Sequence, residues 1–281
     1  MKLVIQSHTL SQQQVQHIAQ LAGTDRIEAI ESSPYPAFRL LDADLSARDL
    51  IGAYCDQHDI DYAYIDPAKK LSDFGLVVMD MDSTLINIEC IDEIADMQGI
   101  KHKVAEITER SMRGELDFAQ SLRERVALLA GLDQSALGRV YEERLRLNPG
   151  AERMLQAAHA AGLKSLLVSG GFTFFTERLQ TRLNLTQAHA NVLEIVDGKL
   201  TGKVASEILD AQAKKDWLIK LRTELGLRPD QVIALGDGAN DLKMLVEAGV
   251  GIAYHAKPIV RQQAGYALTH VGLDGLLNWF A

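Results

Sequence analysis

The stretch GLVVMDMDSTLINIE, Gly75 to Glu89, decides how the rest of the chain is read. Its apolar run, Leu76 to Met79, is the length of a buried strand and leads straight into two aspartates, Asp80 and Asp82. Residues two apart leave a strand on the same side, so both carboxylates can face one point while Met81 turns away. Two carboxylates that close repel each other unless a cation lies between them. A hard divalent cation prefers oxygen ligands, and magnesium makes do with few carboxylates and several waters. A solvated acidic loop is the other reading of this pair on its own.

Working outward, the chain from Leu76 alternates strand with helix. LKSLLVSGG (Leu163 to Gly171) and QVIALGDGAND (Gln231 to Asp241) are apolar runs ending in glycines, and GVGIAY (Gly249 to Tyr254) is a short fourth strand. Asp197-Gly198 marks a hairpin turn within NVLEIVDGKLTGKV. Residues 90–146 hold almost no turn signals and many helix formers, and read as a helical block. The alternation predicts an α/β fold with a doubly wound, mainly parallel sheet. Such sheets place their sites in the crevice at the carboxyl ends of strands. Asp80, Ser169 and Asp237 each stand at such an end, where they can meet.

Residues 1–70 read as a unit of their own. KLVIQ, RIEAIES, AFRLLDA and DYAYID have strand character, and SQQQVQHIAQLAG and ARDLIGAYCDQHD have helical spacing. The order β-α-β-β-α-β is the split pattern of ferredoxin-like folds. The polar segment Pro67 to Asp73 is the expected boundary, leaving 71–281 for the second domain.

Of the 281 residues, 47% are hydrophobic and 24% charged, which suits a soluble globular protein able to bury a core. The net charge of -9 gives no electrostatic footprint for a nucleic-acid partner. No run approaches the ~20 apolar residues that span a bilayer, and the N-terminus lacks the apolar core of a signal peptide. Two cysteines, Cys55 and Cys90, make no disulfide framework. The expectation is a cytoplasmic protein without membrane or nucleic-acid partners.

Three further stretches carry chemistry. In GDGAND, two glycines flank Asp237 and allow close approach, and Asn240 and Asp241 open a helix. It also reads as an ordinary capped turn. In VSGGFT, Ser169 offers a hydroxyl, and Gly170 and Gly171 leave N–H groups accessible near a helix start, where phosphate oxygens bind well. A plain tight turn is the alternative. In AQAKKDWLIKLRTELG, Lys214 shares the face of Trp217, Leu218 and Leu221 and so points inward, with Lys215 nearer the solvent. A lysine stem lying over the core with its head in water is the alternative. Together these make carboxylates, a metal and phosphate-oxygen donors around one crevice. That set suits phosphoryl transfer, in which positioning and charge neutralisation carry most of the catalysis. A carboxylate nucleophile and a second carboxyl acting as acid and then base are established routes.

DMDST (Asp80 to Thr84), Ser169 after its strand, Lys214 and GDGAND match, in order and spacing, the four motifs of the haloacid-dehalogenase-like hydrolases. The resemblance covers roughly residues 75–281. It implies Asp80 as nucleophile and Asp82 as acid/base. Magnesium (Mg2+) would be held by Asp80, Asp237 and the main-chain oxygen of Asp82. Ser169, Gly170 and Lys214 would hold the phosphoryl group with Asn240 beside it, and Asp241 would support the metal site from outside.

DMDSTLINIECIDEIA and RSMRGELDFAQSLRERVALL further resemble members of this family that hydrolyse O-phospho-L-serine in the last step of L-serine biosynthesis. That resemblance implies a helical cap at about 88–147. Glu89 would pair with the substrate ammonium, Arg125 would take its carboxylate in a two-pronged bond, and Met112 and Phe118 would be apolar cap contacts. Without that resemblance, the preferred reading of Glu89 and Arg125 is a surface charge each, and of Met112 and Phe118 ordinary helix core.

Phosphotransfer to another hydroxyl, action on another small phosphate ester, and a phospho-accepting signalling module are the rival readings. The last needs neither Asp82 nor a cap. The N-terminal unit resembles ACT-like domains, which often bind amino acids and dimerise. QSHTLSQ stands where their glycine-bearing loop is often found, so the expectation there is packing or a homodimer rather than serine sensing.

Overall fold

The computed structural model describes residues 1–205 and 207–280. The chain begins with β1 (Lys2–Gln6), α1 (Gln12–Leu21), β2 (Ile27–Ala29), β3 (Ala37–Leu40), α2 (Arg48–Gln57) and β4 (Asp61–Ile65). These strands form one antiparallel sheet in the order β2-β3-β1-β4, the arrangement expected from the β-α-β-β-α-β reading. Ser11 caps α1 in a reciprocal capping box with Gln14. Strand β1 is buried on both faces. Leu3 and Ile5 pack under α1 and α2 with Val15, Ile18 and Ile51, whereas Val4 joins the main core with Ala63, Ile65 and Phe280.

The larger part follows as β5 (Leu76–Met79), α3 (Cys90–Asp96), α4 (Lys101–Met112), α5 (Phe118–Ala127), α6 (Ser135–Arg139), α7 (Ala151–Ala160), β6 (Lys164–Phe172) and α8 (Thr173–Leu183). It continues with β7 (Gln187–Asn191), β8 (Leu193–Val196), β9 (Lys199–Val204), α9 (Ala211–Glu224), β10 (Val232–Gly236) and α10 (Leu242–Glu247). It ends with β11 (Val250–Tyr254), α11 (Pro258–Gln263), β12 (Tyr266–Leu268) and α12 (Leu277–Phe280). Six strands form a parallel sheet in the order β12-β11-β10-β5-β6-β7. The chain runs outward from β5 through β6 to β7, then returns to β10 on the other side. The order therefore reverses between β5 and β10, the kind of switch point where such sheets open a crevice.

The apolar run of β5 is explained by this central position. Leu76 and Val78 pack toward α9 and α10 with Leu218 and Met244. Val77 and Met79 face the opposite layer with Leu155, Phe175 and Trp279. With both faces covered, alternation gives way to a continuous apolar stretch.

Two edge strands, β7 and β12, have no counterpart in the sequence reading. β7 (QAHAN) is weakly apolar and β12 (YAL) only three residues long, so neither carries a clear period. The helical block is also more broken than expected. Gly99, Gly114 and Gly131 take positive φ and divide it into separate helices. The Asp197-Gly198 hairpin forms as expected, both residues at positive φ, and joins β8 to β9. The block leans on it through Gly131 N–H to Leu200 O, 2.8 Å.

Candidate active site

The register of the parallel sheet brings the predicted residues together. Met79 lies opposite Leu167 of β6 and Leu235 of β10, so the next residues in all three strands emerge side by side. Asp80 is fixed there by its N–H donating to Leu235 O at 3.0 Å.

Asp80 is 5% exposed. Its Oδ1 accepts from the Met81 N–H at 2.7 Å and lies 2.8 Å from Lys214 Nζ. Lys214, on α9, is 1% exposed, as its place on the inward helix face predicts. Its ammonium also donates to Asp241 Oδ1 at 2.7 Å. The other oxygen of Asp241 accepts from the Gly238 N–H at 3.0 Å. Both oxygens of Asp241 are thus taken by this chain's own donors. Asp237 accepts from the Thr84 hydroxyl at 2.8 Å.

One carboxylate oxygen from each of Asp80, Asp237 and Asp241 lies within 4.8 Å of the others. Three carboxylates crowd one ammonium, and the surplus is negative. Burial and the Asp241 charge raise Asp80 well above the usual carboxylate range and push Asp237 up to about 6. A hard, oxygen-preferring divalent cation fits such a donor set and would relieve the repulsion. The Asp82 carboxylate is outside this cluster.

Asp82 instead faces the neighbouring cavity. Its Oδ1 accepts from the Cys90 N–H at the start of α3, at 3.3 Å. Burial, followed by the Glu89 charge, pushes it to about 7. The turn after it is tight. Ser83 sits at φ 56°, a conformation that costs a non-glycine residue energy and often marks a functional site. Asn148 holds the turn from outside. Its side-chain amide donates to the carbonyls of Thr84 and Ile86 at 2.8 and 3.0 Å. The Ser83 hydroxyl donates to Glu89 Oε1 at 2.7 Å.

Ser169 is 1% exposed and its Oγ accepts from the Gly171 N–H at 2.9 Å. A Cβ on Gly171 would come within 3.0 Å of Asp82 Oδ2 and 2.8 Å of the Met81 side chain, so glycine is what lets β6 pass so near. Asn191 donates to Gly170 O at 2.8 Å and accepts from the Leu209 N–H, bracing the strand end.

A cavity of about 390 Å³ opens onto these groups. Of the residues singled out in the sequence, Asp80, Asp82, Glu89, Met112, Phe118, Arg125, Ser169, Gly170, Asp237 and Asn240 all line it. Phe118 and Arg125, on α5, and Met112, at the end of α4, face the sheet from the helical block. Met112 is 68% exposed, so it forms rim rather than core. Arg125 is half-buried; apart from a 3.4 Å contact of its Nε with Ser121 O, its side chain has no hydrogen-bond partner among the described residues. Lys214 is the exception among the predicted contacts. It lies behind Asp80, bound to two carboxylates, and does not line the cavity.

The chain matches the model of the haloacid dehalogenase-like hydrolases over residues 74–249. A second model, described as a domain of unknown function, matches residues 3–51. A phosphoserine phosphatase of Polaromonas sp. is 56% identical over 217 residues, 75% of this chain and 92% of the relative. The chain belongs to the phosphoserine phosphatase family of haloacid dehalogenase-like hydrolases. The crystal structure of a probable phosphoserine phosphatase from Vibrio cholerae, unliganded, superposes with a TM-score of 0.84 at 38% identity, covering 99% of this chain and 86% of that one. That of a haloacid dehalogenase family hydrolase from Salmonella enterica serovar Typhi gives 0.89 at 30% identity, covering 100% and 99%. Both matches therefore include the N-terminal antiparallel sheet of this chain. No helix among the described residues is long and apolar enough to cross a membrane.

Sequence reasoning missed Thr84 and Asn148. Thr84 stood inside the quoted DMDST motif without a role, and its hydroxyl orients Asp237. Asn148 precedes Pro149 and reads only as a turn residue. Its function as a clamp on the active-site turn depends on a contact across 60 or more residues, which local pattern does not show.

Proposed function

We propose that this chain hydrolyses O-phospho-L-serine to L-serine and inorganic phosphate, with Asp80 as the nucleophile and magnesium as cofactor. The observation that carries this reading is the single cavity with Asp80, Asp82 and Ser169 on its sheet side and Arg125 on its helical side, Glu89 lying near its edge.

The Oδ1 atom of Asp80 is already engaged by Lys214 and the Met81 N–H, which leaves Oδ2 to attack phosphorus. A bond forms between Oδ2 and phosphorus as the bond to the serine oxygen breaks. The departing oxygen takes a proton from Asp82, whose elevated pKa keeps a protonated fraction near neutrality. Asp82, now a carboxylate, then takes a proton from a water. That water attacks the phosphorus of the aspartyl phosphate, and the bond to Asp80 breaks. Phosphate leaves and both carboxyl groups return to their starting states.

Asp80, Asp237 and the main-chain oxygen of Asp82 would hold magnesium, which would supply positive charge to the phosphoryl oxygens. Asp241, with both oxygens occupied, supports Lys214 and the turn at Gly238 rather than serving as a direct ligand. Lys214 acts on the phosphoryl group through Asp80, holding one carboxylate oxygen so that the other is aimed. Ser169 and Gly170 provide donors at the strand end. Arg125 takes the substrate carboxylate and Glu89 the ammonium, which selects an amino-acid phosphate.

Residues 71–281 form the catalytic domain in this reading, with the cap at about 88–147 excluding water from the acyl phosphate. Residues 1–70 serve as a packing unit, a reading supported by Val4, Ala63 and Ile65 of their sheet joining the main core. The test is phosphate release from a panel of phosphate esters including O-phospho-L-serine, with magnesium and with a chelator. Magnesium-dependent repeated turnover led by phosphoserine is expected. A different preferred ester would remove the roles given to Glu89 and Arg125, and one phosphate per chain would favour a signalling module.

A further inference from the structure

The chain leaves the sheet for the helical block after Leu85 and returns before Pro149, and the two crossings are laced together. Ile86 and Leu147 form an antiparallel bridge. The Asn87 N–H donates to Arg146 O at 3.0 Å, and the Arg146 N–H to Asn87 Oδ1 at 2.9 Å. The Asn148 N–H donates to Leu85 O at 3.0 Å. Asn148 is also seated firmly from its other side. Pro149 O accepts from the Leu273 N–H at 2.8 Å. The run before Leu273 is held by Asp61, at the start of β4, which accepts from the N–H groups of Thr269, His270 and Val271 at 2.7, 2.9 and 3.0 Å. Gly150, at φ 78°, has Asp274 packed where a side chain would go.

From this seat the Asn148 amide reaches the turn after Asp82. Besides Thr84 O and Ile86 O, it contacts Ser83 O at 3.3 Å. A peptide unit is planar, so fixing its carbonyl fixes the whole plane. The Ser83 and Thr84 carbonyls flank the Thr84 Cα, and holding both sets the backbone angles from which the Thr84 side chain leaves. The plane before Ser83 is held too, by the Ser83 N–H donating to Ile88 O at 3.2 Å. Ser83 is thereby kept at φ 56°, a conformation that persists only where its surroundings over-determine it. The two adjacent hydroxyls serve different places. Thr84, fully buried, donates to Asp237 Oδ1 at 2.8 Å, and Ser83 donates to Glu89 Oε1 at 2.7 Å. Each is the one hydrogen bond or ion pair that its carboxylate makes among the described residues.

We propose that Asn148 is a positioning residue for two parts of the site at once: through Thr84 it sets Asp237 for the divalent cation, and through Ser83 it sets Glu89 for the substrate ammonium. The inference rests on the function proposed above and adds to it a residue that touches neither substrate nor reacting atoms. One amide governs both parts because neighbouring residues of a single held turn feed them. With no second partner to hold Asp237 or Glu89, a turn that relaxes releases both carboxylates together.

The test uses Asn148→Leu, which keeps the branched shape and removes the donor without adding charge. Two quantities are measured on the full chain. One is magnesium binding to the metal-free protein, by calorimetric titration. The other is the ratio of kcat/KM for O-phospho-L-serine to that for 3-phosphoglycerate, which carries a hydroxyl in place of the ammonium. Asn148→Leu is expected to weaken magnesium binding and to lower the ratio, each by roughly 3–10-fold, the loss of an ordinary hydrogen bond. Thr84→Val should move the magnesium isotherm alone, and Ser83→Ala the ratio alone. Should Asn148→Leu fail to fold, Asn148→Ala carries the same expectation. A merely structural Asn148 would lower the unfolding midpoint and leave both quantities as in the wild type. A wild type with no preference for phosphoserine would overturn the proposed function and the Glu89 branch with it. Where the wild type has that preference, a folded Asn148 variant that leaves either quantity unchanged would overturn this inference alone. So would a Thr84→Val or Ser83→Ala that leaves its own quantity unchanged.

Discussion

The ammonium of Lys214 lies 2.8 Å from Oδ1 of Asp80, and neither side chain is more than slightly exposed. The pair is held from behind by Asp241, 2.7 Å from the same ammonium. A buried cation shared by two carboxylates leaves uncompensated charge if it is removed. Lys214→Met should therefore lower stability by about 3–5 kcal/mol. It should also reduce turnover, because Asp80 loses the contact that fixes one oxygen. Chemical denaturation and steady-state rates measure the two effects. A stable, fully active variant would show that Lys214 neither balances nor aims Asp80.

Asp82 gives a pH prediction with a definite sign. Its carboxyl, pushed to about 7, must be protonated to release the serine oxygen. As pH rises through that value the protonated fraction falls, so the first step should slow on the alkaline side. In Asp82→Asn that limb should vanish and turnover should fall by ~10²–10⁴-fold, the usual contribution of a general acid–base group. Pre-steady-state rates across pH separate this from a loss of binding. An alkaline limb that survives in Asp82→Asn would assign the proton to another group.

Arg125 tests selectivity rather than chemistry. Arg125 lines the cavity and its one hydrogen bond among the described residues is a 3.4 Å contact with Ser121 O, so its guanidinium can take an incoming carboxylate. Arg125→Ala should lower kcat/KM for O-phospho-L-serine by roughly 10–100-fold, the range for a charge-assisted hydrogen bond. A phosphate ester without a carboxylate should be nearly unaffected. Equal losses on both substrates would mean that Arg125 supports the cap and does not read the substrate.

How much of this was legible beforehand depends on where each signal lies. The core of the sheet was readable because β5, β6 and β10 are covered on both faces and so read as unbroken apolar runs. The edge strands β7 and β12 were not, since an edge needs little hydrophobic surface. Lys214 was placed inward by helical spacing alone, but its partners were not, and it lies behind Asp80 rather than in the cavity wall. Asn148 and the Asp61 contacts depend on segments distant in sequence, which pairwise contact reveals and local pattern does not.

Asp61 also supports a stability prediction. Its carboxylate satisfies three consecutive backbone N–H groups across the meeting of the two sheets. Asp61→Ala would leave them without acceptors and should cost roughly 2–3 kcal/mol. The loss should be read by denaturant unfolding, with the active-site residues untouched. Unchanged stability would mean that the contact adds nothing to holding the N-terminal unit in place.

The central claim is that Asp80 attacks phosphorus. The most direct test measures phosphate release from O-phospho-L-serine by the wild-type chain and by Asp80→Asn, each with magnesium and with chelator. Asp80→Asn keeps the size of the side chain and removes its nucleophilic charge. Magnesium-dependent turnover in the wild type and none in the variant is the predicted result. Turnover by a folded Asp80→Asn at a rate near that of the wild type would contradict it.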